Sequence, residues 1–97
     1  MSRGHGAVQR FVLDALREHG TLTLYDLALL RWPQDRAQDG LRSPYQDHVE
    51  SMRRAAEKLA DEGLVTWAGW TEDRDLDYSS PVGHRTTNPA AVYALAH

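Results

Sequence analysis

Cysteine is absent from the 97-residue chain, which excludes disulfides and thiolate metal ligands. Long apolar runs are missing too. None approaches the roughly 18 residues that a membrane-spanning helix needs, and no signal-peptide core opens the sequence. Together these absences predict a soluble, cytoplasmic protein. The five histidines show no H-x-x-x-H pair, so no zinc site is expected. No P-loop, nucleophile elbow or Ser-His-Asp grouping appears, which argues against an enzyme. Positive charge is also in short supply. Eleven basic residues face fourteen acidic ones, for a net charge of −3.

The charge is unevenly spread. Residues 1–54 carry eight Arg against seven Asp or Glu, whereas residues 55–97 carry three basic and seven acidic groups. Glu72, Asp73, Asp75 and Asp77 crowd into one stretch. A hydrophobic fraction of 41%, with three Trp, four Tyr and one Phe, is enough for one small core. One domain spanning 1–97 is therefore expected, with no repeat, low-complexity tract or linker.

The most ordered pattern runs from Ser43 to Val65. Ser43 can N-cap a helix, Pro44 suits its first turn, and Gln46 completes an S-x-x-Q capping box. Tyr45, Val49, Met52, Ala56 and Leu59 recur at helical spacing and predict one buried stripe. Gly63 stands where a left-handed residue ends a helix, and Leu64-Val65 begins a β pattern. Helices are thus expected over about 7–19, 24–31 and 44–62, with β structure over about 64–96. The first would bury Val8, Phe11, Val12, Ala15 and Leu16 and stop at Gly20. Thr21-Leu22 would form a very short strand. Thr23 would cap the second helix with Asp26 as its acidic partner, and Leu24, Leu27, Ala28 and Leu30 would face inward. Pro33 ends that helix, and residues 33–42 read as a polar loop. Val65–Ala68 and Val92–Leu95 would pair antiparallel across a long polar connection.

The segments Gly20–Ala28 (GTLTLYDLA) and Leu59–Val65 (LADEGLV) resemble the corresponding pieces of small bacterial and phage winged helix-turn-helix regulators, broadly of the MarR type. The resemblance covers about residues 6–96. It implies an α+β fold, with three helices and a small antiparallel β-wing, and sequence-specific binding of double-stranded DNA for transcriptional regulation. Use in replication or excision would employ the same surface. It also implies a homodimer on a palindromic site, with the third helix in the major groove. Two departures stand out. The connection over 33–42 exceeds the roughly three- or four-residue turn of a helix-turn-helix, and the wing is acidic.

On the third helix Asp47, Glu50, Arg54 and Lys58 point outward, with Gln46, Ser51 and Arg53 on the flanks. The resemblance makes these the DNA-facing set, Arg53 and Arg54 meeting guanine or phosphate and Gln46 adenine. The plainer alternative leaves Arg54 solvated, with Glu50 paired to it across one turn, and Gln46 as a cap. Arg31, Arg36, Arg42 and Ser43 would meet phosphate near the helix start, unless Asp35 and Asp39 neutralise that loop. Arg85 and His84 remain as wing contacts, and Arg3 and His5 as a tail. Trp67 and Trp70 lie three apart, so strict alternation puts them on opposite strand faces. Trp67 is expected in the core, Trp70 at the wing base and Trp32 at the end of the second helix. The acidic run from Asp73 imitates a calcium loop but has Tyr78 in the glycine position and His84 in the bidentate glutamate position. No metal or cofactor is expected. A second reading makes the chain a protein-binding module or acidic DNA mimic, acting through Glu72, Asp73, Asp75 and Asp77.

Overall fold

The computed structural model describes residues 6–35, 44–84 and 89–96. Its elements are α1 (Ala7–His19), β1 (Thr21–Thr23), α2 (Leu24–Arg31), a 3-10 turn (Pro33–Asp35), α3 (Gln46–Asp61), β2 (Val65–Trp70) and β3 (Ala91–Leu95). The architecture is α+β: three helices on a small antiparallel sheet of strand order β1-β3-β2. No helix among the described residues is long and apolar enough to cross a membrane.

Local chemistry sets the helix ends. Gly20 closes α1 at φ 90°, its N–H donating to the Leu16 carbonyl at 2.8 Å. Thr23 and Asp26 form a reciprocal capping box at α2: the Thr23 hydroxyl accepts from Asp26 N–H at 3.1 Å, and the carboxylate accepts from Thr23 N–H at 3.4 Å. At the end of α3, Gly63 adopts φ 78°. Its N–H reaches the Ala60 carbonyl at 3.0 Å, and Leu64 N–H reaches the Leu59 carbonyl at 2.9 Å. This pair of bonds is a Schellman ending, and it aims the chain straight into β2.

The start of α3 departs from the sequence pattern. The helix begins at Gln46, so Gln46 is its first residue and not the third residue of a capping box. Ser43, the expected cap, lies outside the described residues. Tyr45 holds the cap position without a side-chain bond and is 60% exposed, not part of the buried stripe. It precedes the helix, so helical periodicity does not govern where its ring goes. The cap comes from elsewhere: the Asp35 carboxylate accepts from Tyr45 N–H at 3.1 Å and bonds His48 Nδ1 at 2.6 Å. A negative charge there also suits the positive end of the helix dipole. His48 stacks flat on Trp32 at 3.9 Å, which ties the ends of α2 and α3 together.

The hydrogen bond to His48, chiefly, holds the Asp35 carboxyl below its usual 3.8. A depressed carboxyl stabilises the fold at pH values above its ordinary range, and that contribution is lost as acid protonates it. Asp35→Ala should therefore fray the first turn of α3. Hydrogen exchange would show faster amide exchange at Tyr45 and His48, with α1 unchanged; equal protection in both proteins would remove Asp35 from this role.

The core gathers Val12, Ala15 and Leu16 from α1, Leu22 from β1, Leu27 and Ala28 from α2, Met52, Ala55 and Leu59 from α3, and Val65 from β2. Leu29 and Ala55 are buried although the sequence pattern did not single them out, while Leu24 and Leu30 are only partly covered. Trp32 packs on the core edge as expected.

Trp67 does not join that core. It is 53% exposed, and Trp70 is 44% exposed. A register shift between Trp67 and Gly69 brings the two rings to one face. Trp67 pairs with Tyr93 and Trp70 with Ala91, two residues apart on β3 and so on one face. The β-bulge absorbs Ala68, and a spacing of three puts both rings on the same side.

Candidate nucleic-acid interface

The outer face of α3 carries the densest charge of any helix here. Its repeat sends Asp47, Glu50, Arg54 and Lys58 away from Met52, Ala56 and Leu59, which are buried. Arg53 and Glu57 widen the face. The side chains are interlaced. Glu50 accepts from Arg53 and also lies 3.7 Å from Arg54 Nε. Arg53 reaches Glu57 at 4.0 Å, and Lys58 reaches Glu62 at 3.9 Å. Glu50 thus engages both arginines, of which the sequence suggested only Arg54.

Such exposed pairs contribute only about 0–1 kcal/mol each, because water screens them and ordering two long side chains costs entropy. The Arg53 and Arg54 side chains are 50% and 79% exposed. A phosphate or a guanine edge would therefore displace Glu50 at little cost. The acids on the same face pull the other way, since Asp47, Glu50 and Glu57 repel a polyanion. Ser51 turns its hydroxyl back onto the Asp47 carbonyl at 3.0 Å, so it is committed to its own helix. Gln46 is exposed at the first helical position. Arg36, Arg42, Ser43 and Arg85 lie outside the described residues, as do Asp39, Arg3 and His5. Arg31 stands 5.7 Å from the Phe11 ring and 5.8 Å from the Trp32 ring. Its guanidinium is thereby placed at the joint of α1 and α2.

A second polar cluster was not foreseen. Asp26, almost wholly buried, caps α2 and also accepts from the Ser80 hydroxyl at 2.7 Å. Ser80 Oγ in turn accepts from the backbone N–H groups of Val82 and His84, at 3.3 and 3.0 Å. Tyr78 Oη accepts from Thr23 N–H at 3.3 Å, and the His84 ring lies 5.5 Å from Tyr25. Three residues of the long β2–β3 connection are thereby fastened to the start of α2. Burial pushes the Asp26 carboxyl up, against the hydrogen bonds from Ser80 and Thr23. Burial likewise pulls the His84 imidazole below 6.5, with Asp26 opposing it. Only the capping half of this cluster was visible in sequence, because its two parts stand 54 residues apart.

The acidic stretch forms the turn after β2. Asp73 accepts from Trp70 N–H at 3.0 Å and packs against Gly69, whose φ of 148° and lack of a side chain permit that approach. Among the described residues no three His, Asp or Glu converge as metal ligands. No protein-family model, curated protein or solved structure matches the chain.

Proposed function

We propose that the chain is a winged-helix protein that binds double-stranded DNA in a sequence-specific way and regulates transcription. The observation that carries this reading is the outer face of α3, where Arg53, Arg54 and Lys58 are exposed and held only by surface carboxylates. The element order and the β1-β3-β2 sheet are compatible with the same reading. In this pose α3 lies in the major groove. Arg53 and Arg54 contact guanine or phosphate, Gln46 reaches adenine from the helix start, and Glu50 accepts from a cytosine amino group once the arginines leave it. Two copies would address a palindromic site.

Fluorescence anisotropy of a labelled duplex library across a salt series tests the proposal. Parent protein should select a subset of sequences, with affinity falling steeply as salt rises. Arg53→Ala/Arg54→Ala should abolish selection and, where both arginines touch phosphate, lower the log–log salt slope by about 2. Glu50→Gln should strengthen non-specific binding by freeing both arginines. Folded parent protein that binds no duplex at low salt sinks the reading.

A further inference from the structure

The face of the sheet that packs on the helices continues past them. Leu22 and Val65 on that face are buried, whereas Trp67 and Trp70 on the same face stand open. Their rings meet edge to face, centroids 5.7 Å apart, and so hold one another in place. Among the described residues β2 has a neighbouring strand on one side only; Asp73 takes both the N–H and the carbonyl of Trp70, so the part of the outer edge left for pairing precedes Trp70. Asp73 N–H donates to the Trp70 carbonyl at 3.0 Å, so the acidic turn folds directly onto the end of that edge. The carboxylates of Glu72, Asp75 and Asp77 have no hydrogen-bond or ion-pair partner among the described residues. Arg74 is the only basic residue between 59 and 83.

These features select one occupant. An unpaired strand edge accepts an extended chain, and its main-chain groups supply the bonds. Indole faces attract guanidinium and ammonium groups. Unpaired carboxylates beside them favour cations and repel phosphates. We propose that the open edge of β2 receives an extended, Arg- and Lys-rich segment of a partner protein. Its cationic side chains lie on Trp67 and Trp70 and reach toward Glu72 and Asp75. This surface is separate from the outer face of α3 and does not depend on the DNA reading. Single-stranded nucleic acid also stacks on tryptophan, but it would bring phosphates against the acidic turn.

Nitrogen-15 NMR decides the matter, since the three tryptophans give three indole N–H signals and Trp32, stacked on His48, serves as internal reference. The probes are a short peptide alternating Arg and Val, its Glu–Val counterpart, and oligothymidine. The Arg–Val peptide should shift the Trp67 and Trp70 indoles and the β2 amides while Trp32 stays still; the Glu–Val peptide should do nothing. Trp67→Ala/Trp70→Ala should weaken binding on the order of tenfold, with the Trp32 signal confirming the fold. Glu72→Gln/Asp75→Asn should weaken it too and flatten its salt dependence. The proposal is overturned by indoles that stay unmoved at millimolar Arg–Val peptide, by full binding in the double tryptophan variant, or by oligothymidine acting at lower concentration than the peptide.

Discussion

Leu59→Ala should lower the unfolding free energy by about 3 kcal/mol, within the roughly 2–5 kcal/mol range for leucine truncation in a close-packed interior. Leu59 is fully buried in the last turn of α3, within the cluster that joins all three helices to β1 and β2. Its backbone carbonyl also accepts the Leu64 N–H that turns the chain into β2. Truncation therefore leaves a void at the joint between helix layer and sheet, where little can move in to fill it. For a domain of this size the loss corresponds to a melting point lower by roughly 12–24 °C, read by calorimetry or by circular dichroism at 222 nm. A drop of less than about 1 kcal/mol would mean that the cluster relaxes freely and that Leu59 is not its keystone.

Asp26→Ala is expected to cost about 1–3 kcal/mol, from the lost reciprocal half of the capping box and the Ser80 hydroxyl it strands. Thr23 N–H keeps Tyr78 Oη as its acceptor, whereas Ser80 loses the carboxylate that fixes the β2–β3 connection to α2. The change also removes a buried charge that burial itself disfavours, which sets the upper end of the estimate. Ser80→Ala should loosen the connection while sparing the cap. Urea unfolding would then rank the parent above Ser80→Ala and Ser80→Ala above Asp26→Ala. Parity between parent and Asp26→Ala would show that the cluster contributes nothing net.

The same cluster sets a pH dependence. His84 titrates below its ordinary 6.5 in the fold. The unfolded chain therefore binds its proton first, and stability falls as pH drops below about 6.5. Asp26 works oppositely. Its raised value means that the folded state takes up a proton more readily, so acidification toward 3.8 relieves the cost of burying the charge. His84→Gln should lose less stability than the parent as pH falls through 6.5, and Asp26→Asn should lack the relief that the parent gains on further acidification toward 3.8.

The helices were readable because each buries one stripe and ends on a residue with a stated backbone role. Val12 and Leu16, the Thr23–Asp26 box and Gly63 all act within one or two turns of chain, where spacing carries the information. What sequence spacing could not carry came from contacts between distant segments. Asp35 caps α3 from across a loop, which moved the helix start and released Tyr45 to the surface. A single bulged residue, Ala68, reversed the alternation that had divided Trp67 from Trp70. On α3 the outward set was legible, because a buried stripe fixes its complement. The engagement of both arginines by Glu50 was only half legible, since Arg53 and Arg54 lie on either side of its reach.

The middle strand of the sheet is β3, residues 91–95, and both other strands depend on it. Thr21 pairs with Ala94 and Val65 with Leu95, so neither earlier strand has a neighbour until that segment exists. During synthesis the three helices can collapse through contacts between near neighbours in sequence, while β1 and β2 wait as bare edges. Closing the loop from Thr21 to Ala94 is then the slow, entropy-limited event in assembly. A ribosome stalled before residue 91 would hold a helical cluster with β1 and β2 as unpaired edges, a state prone to capture by chaperones.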